Sequence, residues 1–182
     1  MKPKLFAFLR AINVGGHTVT MDKLRAIFED LGLEDVQTFI ASGNVLFASP
    51  GTSIPALERK ISARLEASLG YDVATFIRTA PELVALAAYR PFPEAQIRGA
   101  GAFCVGFMGE PLNATAKKSL ASLKNEIDDF KVHGREVYWF CVKKQSESKF
   151  SNTVFEKATG ARVTFRGGST VAKLAAKAGE NL

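Results

Sequence analysis

The order of apolar segments predicts an α+β protein made of two tandem ferredoxin-like βαββαβ units packed into one compact protein, with a linking helix and a C-terminal helix. Three observations carry that reading. Short apolar runs with no break open each half, at Leu5–Leu9 and Phe103–Phe107. Each run is followed by the same order of capped helix, hairpin, helix and strand. Each half then closes on an arginine that precedes a small-residue helix, Leu83-Val84-Ala85-Leu86-Ala87-Ala88 after Arg78 and Val171-Ala172-Lys173-Leu174-Ala175-Ala176 after Arg166.

In the first half, Leu5–Leu9 reads as a strand buried on both faces. Thr20 caps a helix whose stripe is Leu24, Ile27, Phe28 and Leu31, and Gly32 ends it. Strands at Val36–Ile40 and Asn44–Phe47 are joined by Ala41-Ser42-Gly43 as a hairpin. Leu57, Ile61, Leu65 and Leu69 mark a second helix that stops at Gly70, and Val73–Arg78 closes the unit. Thr79-Ala80-Pro81-Glu82 has the form of a capping box opening the linking helix. That helix stops before Pro91-Phe92-Pro93, and the residues up to Gly101 read as irregular linker.

The second half repeats the order. Phe103–Met108 is a strand, Asn113 caps a helix bearing Leu120 and Leu123, and Ile127–Val132 pairs with Glu136–Val142 across a turn at His133-Gly134. Phe150, Val154, Phe155 and Ala158 form an amphipathic helix ending at Gly160, Arg162–Arg166 is the last strand, and Thr170 begins the final helix. The expected divisions are residues 1–79, 80–100 and 101–182. Strands apolar on both sides would leave a bare sheet face as a large exposed patch, so each unit is expected to cover the other's open sheet. An aromatic base-stacking platform is the competing use of those rings, but Leu5–Leu9 carries no basic residue to accompany it.

Composition narrows the function classes. With 182 residues, 47% of them hydrophobic and 14 of them Phe, the chain can bury a sizeable core. No apolar run is long enough for a signal peptide or a membrane span, and the expected location is cytoplasmic. Cys104 and Cys141 sit inside strand-like runs and read as reduced core thiols. Two His and two Cys without ligand spacing exclude a structural zinc site, and no cofactor is implied. The net charge of +6 is uneven: up to Arg90 there are ten Lys and Arg against nine Asp and Glu, and from Pro91 onward fourteen against nine. That surplus favours anionic partners such as nucleic acid or phosphorylated metabolites.

The chemistry-bearing segments are loops. Arg10-Ala11-Ile12-Asn13-Val14-Gly15-Gly16-His17-Thr18 runs from a strand end to a helix N-terminus. Backbone N–H groups of a glycine loop can converge there on an anion, with Arg10 as a charged fork and Asn13 and Thr18 as polar contacts. It is neither a P-loop nor a dinucleotide fingerprint, and a tight turn with positive-φ glycines accounts for the same residues. Arg166-Gly167-Gly168-Ser169-Thr170 is a comparable junction, with Lys173 one turn into its helix. Ser42-Gly43-Asn44 is ordinary hairpin chemistry or a third polar contact. His17 and His133 have no adjacent nucleophile, and Asp128 and Asp129 point to opposite faces, so no catalytic constellation is present.

Phe8-Leu9-Arg10-Ala11-Ile12-Asn13-Val14-Gly15-Gly16 and Ser42-Gly43-Asn44-Val45 resemble a bacterial family designated domain of unknown function 1697. Gly134-Arg135-Glu136-Val137-Tyr138, Ser148-Lys149-Phe150 and Thr170-Val171-Ala172-Lys173-Leu174 are similar to it as well. The resemblance implies a compact bacterial α+β protein and brings no activity. Its recurrent polar positions fall on Arg10, Asn13, Gly15, Gly16, Ser42, Gly43, Asn44, Lys149, Thr170 and Lys173. Where the family has Arg-Asn-Trp ahead of the last helix, this chain has Arg166-Gly167-Gly168. The expected function is anionic-ligand binding, with nucleic acid or a phosphorylated small molecule as ligand and Arg10 with Gly15-Gly16 at its centre. A small-molecule enzyme with its site between the units, and a non-catalytic oligomerising module, are the alternatives.

Overall fold

The computed structural model describes residues 2–40, 43–51 and 53–180. The chain divides into two units, Met1–Leu83 with Ala178–Leu182, and Val84–Lys177.

In the first unit the elements are β1 (Lys4–Leu9), α1 (Met21–Glu29), β2 (Glu34–Thr38), β3 (Asn44–Ala48), α2 (Ile54–Leu69) and β4 (Thr75–Thr79). The strands form an antiparallel sheet in the order β2-β3-β1-β4. Both helices are capped by the hydroxyl the chain offers. Thr20 Oγ1 accepts from the Lys23 N–H at 3.2 Å, and Ser53 Oγ from the Ala56 N–H at 3.4 Å. Gly70, left-handed at φ 81°, ends α2. Residues directly opposite in an antiparallel sheet share a face. Leu5, Ala7 and Leu9 therefore join Val45, Phe47 and Ile77 in one core with Leu24, Phe28, Ile61 and Leu65. Phe6, paired with Leu46 and Arg78, belongs to the other face and is buried there, as is Phe8.

Strand β2 begins and ends earlier than the expected Val36–Ile40. A register shift between Glu34 and Gln37, with Asp35 at φ 50°, starts it early. Ile40 then leaves the strand at φ 59°, a conformation a β-branched residue seldom takes.

The capping box forms as drawn from sequence. The Thr79 N–H donates to the Glu82 carboxylate at 2.8 Å and the Glu82 N–H to Thr79 Oγ1 at 3.3 Å, opening α3 (Ala80–Ala88) directly from β4. The expected irregular linker contains a short helix, α4 (Glu94–Arg98), with Pro93 at its N-cap position. Pro93 at φ −53° is already set for a helix start, and buried Phe92 packs on Phe140 and Phe103. A proline-rich composition masked both.

The second unit carries β5 (Ala102–Phe107), α5 (Ala114–Ala121), β6 (Asp128–His133), β7 (Glu136–Cys141), a 3-10 turn at Gln145–Glu147, α6 (Asn152–Thr159), β8 (Thr164–Gly167) and α7 (Gly168–Gly179). Its antiparallel sheet has the order β6-β7-β5-β8. Asn113 and Ser151 cap α5 and α6, and Gly160 at φ 72° ends α6. Cys104, Trp139, Cys141 and Phe155 lie in the core, with Phe165 packed against it. Both cysteines are free and buried; burial pushes the Cys104 thiol up to about 11 and raises that of Cys141 as well. Asp128 is a structural hub, accepting from Trp139 Nε1 at 2.8 Å, Ser148 Oγ at 2.8 Å and Asn125 Nδ2 at 3.1 Å. Its neighbour Asp129 pairs instead with Lys124 at 2.8 Å.

Candidate functional site

The segment between β1 and α1 is a sequence of bends held by its own polar atoms. Ala11, Asn13, Gly15 and Gly16 have φ of 66°, 54°, 61° and 84°. The Arg10 N–H donates to the Ala74 carbonyl at 2.9 Å, and Asn13 Oδ1 accepts from the Val19 N–H at 2.7 Å. Gly15, Gly16 and Thr18 are exposed and Arg10 is half-buried. His17 stacks on Tyr71 at 3.8 Å between ring centroids.

The structure brings this segment against the hairpin glycine. The Leu9 N–H donates to the Gly43 carbonyl at 2.8 Å. A Cβ on Gly43 would lie 3.1 Å from Ile12 Cβ and 3.2 Å from Leu9 Cβ. Asn44, 1% exposed, donates from Nδ2 to the Phe39 carbonyl at 2.9 Å. Ser42 lies outside the described residues.

The remaining candidates belong to the second unit. Lys149 is exposed. Arg166 is buried, donating from Nη1 to Thr164 Oγ1 at 2.7 Å and to the Phe165 carbonyl at 2.9 Å, and burial lowers its pKa to about 10. The expected loop after it does not exist: Gly167 ends β8 and Gly168 begins α7, two residues before the expected start at Thr170. A Cβ on Gly168 would sit 2.8 Å from Phe103 Cδ1, so glycine is what lets helix and strand join without a connection. Thr170 is half-buried and Lys173 exposed on α7.

That junction forms one wall of a cavity of about 550 Å³ inside the second unit. Gly167, Gly168 and Ser169 meet there with Phe103, Val105 and Tyr138 from the sheet. Leu86, Tyr89 and Arg90 come from the end of α3, and Glu94, Ile97 and Arg98 from α4. Tyr138 is oriented by its hydroxyl, which donates to the Leu86 carbonyl at 3.3 Å. Tyr89 stacks on His133 at 4.2 Å and tilts against Tyr138 at 5.2 Å. Arg90 Nη1 is held by the Ala87 and Tyr89 carbonyls at 2.8 and 3.3 Å, and Arg98 is exposed. Sequence reading did not single out Tyr89, Arg90 or Arg98. The available signal was a pair of arginines on either side of Pro91-Phe92-Pro93, where the basic half begins.

Among the described residues no group of three or more His, Cys, Asp or Glu is placed to hold a metal ion, and no helix is long and apolar enough to cross a membrane. The arrangement is that of an α+β protein with two four-stranded antiparallel sheets, seven described α-helices and one mixed apolar and cationic cavity in its second unit. The chain belongs to the family of proteins of unknown function DUF1697, whose profile matches residues 3–138. Lys149, Arg166, Thr170 and Lys173 lie beyond that span. In structure the chain is similar to the conserved bacterial protein SP0830 from Streptococcus pneumoniae, with a TM-score of 0.74 at 21% identity, covering 98% of this chain and 99% of that one. No curated protein matches it.

Proposed function

We propose that this protein binds a small anionic ligand in the cavity of its second unit, with Arg90 and Arg98 as the charged contacts. The observation that carries this is the cavity itself: about 550 Å³ of space lined by apolar and aromatic residues together with Arg90 and Arg98. Ligand sites combine apolar walls with a few placed polar groups in this way, and arginine's planar fork suits phosphate and carboxylate. The N-terminus of α7 adds partial positive charge beside Ser169. The test is calorimetric titration with phosphate, nucleoside monophosphates and a single-stranded oligonucleotide. Arg90→Ala combined with Arg98→Ala is expected to weaken whichever ligand binds by at least about tenfold, one charge-assisted contact being worth that much. Unchanged affinity in a folded double variant would sink the assignment.

The Arg10–Thr18 loop is the second location for the same class of ligand. Its run of positive-φ residues directly after Arg10 favours it, since such turns orient successive N–H groups alike. Loss of binding in Arg10→Ala, with none in the double variant, would move the ligand there. We also read each unit as a ferredoxin-like βαββαβ plait in tandem, a reading supported by the matching orders β2-β3-β1-β4 and β6-β7-β5-β8. A cytoplasmic location is supported by the two buried, free cysteines.

A further inference from the structure

We infer that the ligand of this cavity is an aromatic-ring phosphate monoester of mononucleotide size; the inference rests on the anionic-ligand reading above. A bare anion would use little of about 550 Å³ and would leave the apolar floor wet. The floor and wall are aromatic and fixed in place. Tyr138 is oriented through the Leu86 carbonyl, and Phe103 lies nearly parallel to it with 16° between the planes. Tyr89, 37% exposed, is braced on one side by His133 with 16° between the rings. Tyr138, 1% exposed, serves as backing, and Phe103 and Tyr89 are the rings left for a flat guest to stack on at little further entropic cost.

Charged side chains line the same cavity. Two carbonyls hold Arg90 in place through one nitrogen, and the rest of its fork keeps further donors. Arg98 stands on the last turn of α4, and Glu94 on the first turn lines the same cavity. Two cations and one carboxylate suit a single phosphate; a triphosphate would meet Glu94 as repulsion. Glu94 is also an acceptor for a hydroxyl or ring amino group. A monophosphate carrying a ring and a sugar hydroxyl matches all three features.

The experiment is titration of the intact chain with the four ribonucleoside monophosphates, their four nucleosides, ribose 5-phosphate and ATP. At least one monophosphate is expected to bind about tenfold or more tightly than ribose 5-phosphate and than its nucleoside, and AMP more tightly than ATP. Tyr89→Ala is expected to weaken the monophosphate about tenfold more than ribose 5-phosphate, so that the ring's advantage is lost, and Tyr89→Phe to restore it. Equal binding of ring-bearing and ring-free phosphates would overturn the inference and leave the anionic reading standing. Failure of every phosphate to bind would overturn both. Tyr89 is at the surface, so circular dichroism of Tyr89→Ala separates lost stacking from lost folding.

Discussion

Gly43 shows how much one missing side chain can decide. Its φ of 79° and the 3.1–3.3 Å approach of Ile12 and Leu9 act together, so Gly43→Ala is expected to cost about 2–3 kcal/mol in urea unfolding. Gly16, at φ 84° with open space around it, is expected to cost only about 1 kcal/mol on the same change. A similar loss at both positions would show that backbone strain alone matters. The cysteines give a pH signature. The Cys104 thiol ionises near 11 in the fold against 9.0 in the unfolded chain, so its protonated form is favoured by folding. That stability is complete below pH 9 and is lost as pH rises from 9 toward 11, amounting to about 2–3 kcal/mol. Alkylation at pH 8 is expected to spare both thiols until the protein is unfolded in guanidinium. At this scale the sequence was legible for Gly43 and the cysteines, whose residue types fit few environments. It was less so for Asn13 and Asn44. A side chain that closes a backbone hydrogen bond has the same composition signature as one that greets a ligand.

Elements were read best where a local signal and an apolar stripe agreed. Thr20 and Asn113, expected as caps, each accept from a backbone N–H of the helix they open, and the Thr79–Glu82 capping box forms. Thr79→Ala is accordingly expected to lower stability by about 1 kcal/mol, with Thr79→Ser restoring most of it. Signals failed where tertiary packing overrode composition. Helix α4 hides in a proline-rich stretch because Phe92 is what anchors it, and β8 runs straight into α7 because Gly168 fits against Phe103. No periodicity announces either. The Asp128 hub is another tertiary product, tying β6 to Trp139 on β7 and to Ser148 after the 3-10 turn. Asp128→Ala leaves the indole N–H and the Ser148 hydroxyl without their acceptor. It is expected to cost about 2–4 kcal/mol and to change Trp139 fluorescence in the native state. An unchanged emission spectrum would mean that the indole had found another acceptor.

Over the whole chain, the doubled order of elements was legible because six apolar segments recur in one sequence of helix and strand periods. The cavity was not, because its walls come from α3, α4, β5, β7 and the β8–α7 junction, and no short window of sequence contains them together. Two arginines beside the basic half would give the proposed binding a long-range component. Saturation with a bound monophosphate at 100 times its Kd is expected to stabilise the fold by about 3 kcal/mol, read as a shifted denaturation midpoint. At a fixed ligand concentration that shift is expected to shrink as salt rises, since mobile ions screen the attraction and raise Kd.

The absence of any connecting residue between β8 and α7 has a consequence for how this cavity wall can change over time. Most recognition surfaces diversify by lengthening or shortening a surface loop, which leaves the scaffold untouched. Here there is nothing to lengthen. One inserted residue at the Gly167–Gly168 seam would turn α7 by about 100° relative to the sheet, carrying Ser169 off the wall and Val171 and Leu174 out of their buried positions. The wall is therefore locked in phase with the hydrophobic interior. It can be altered by exchanging side chains but not by indels, and variants with insertions at that seam are expected to be recovered as aggregates, not as proteins of altered specificity.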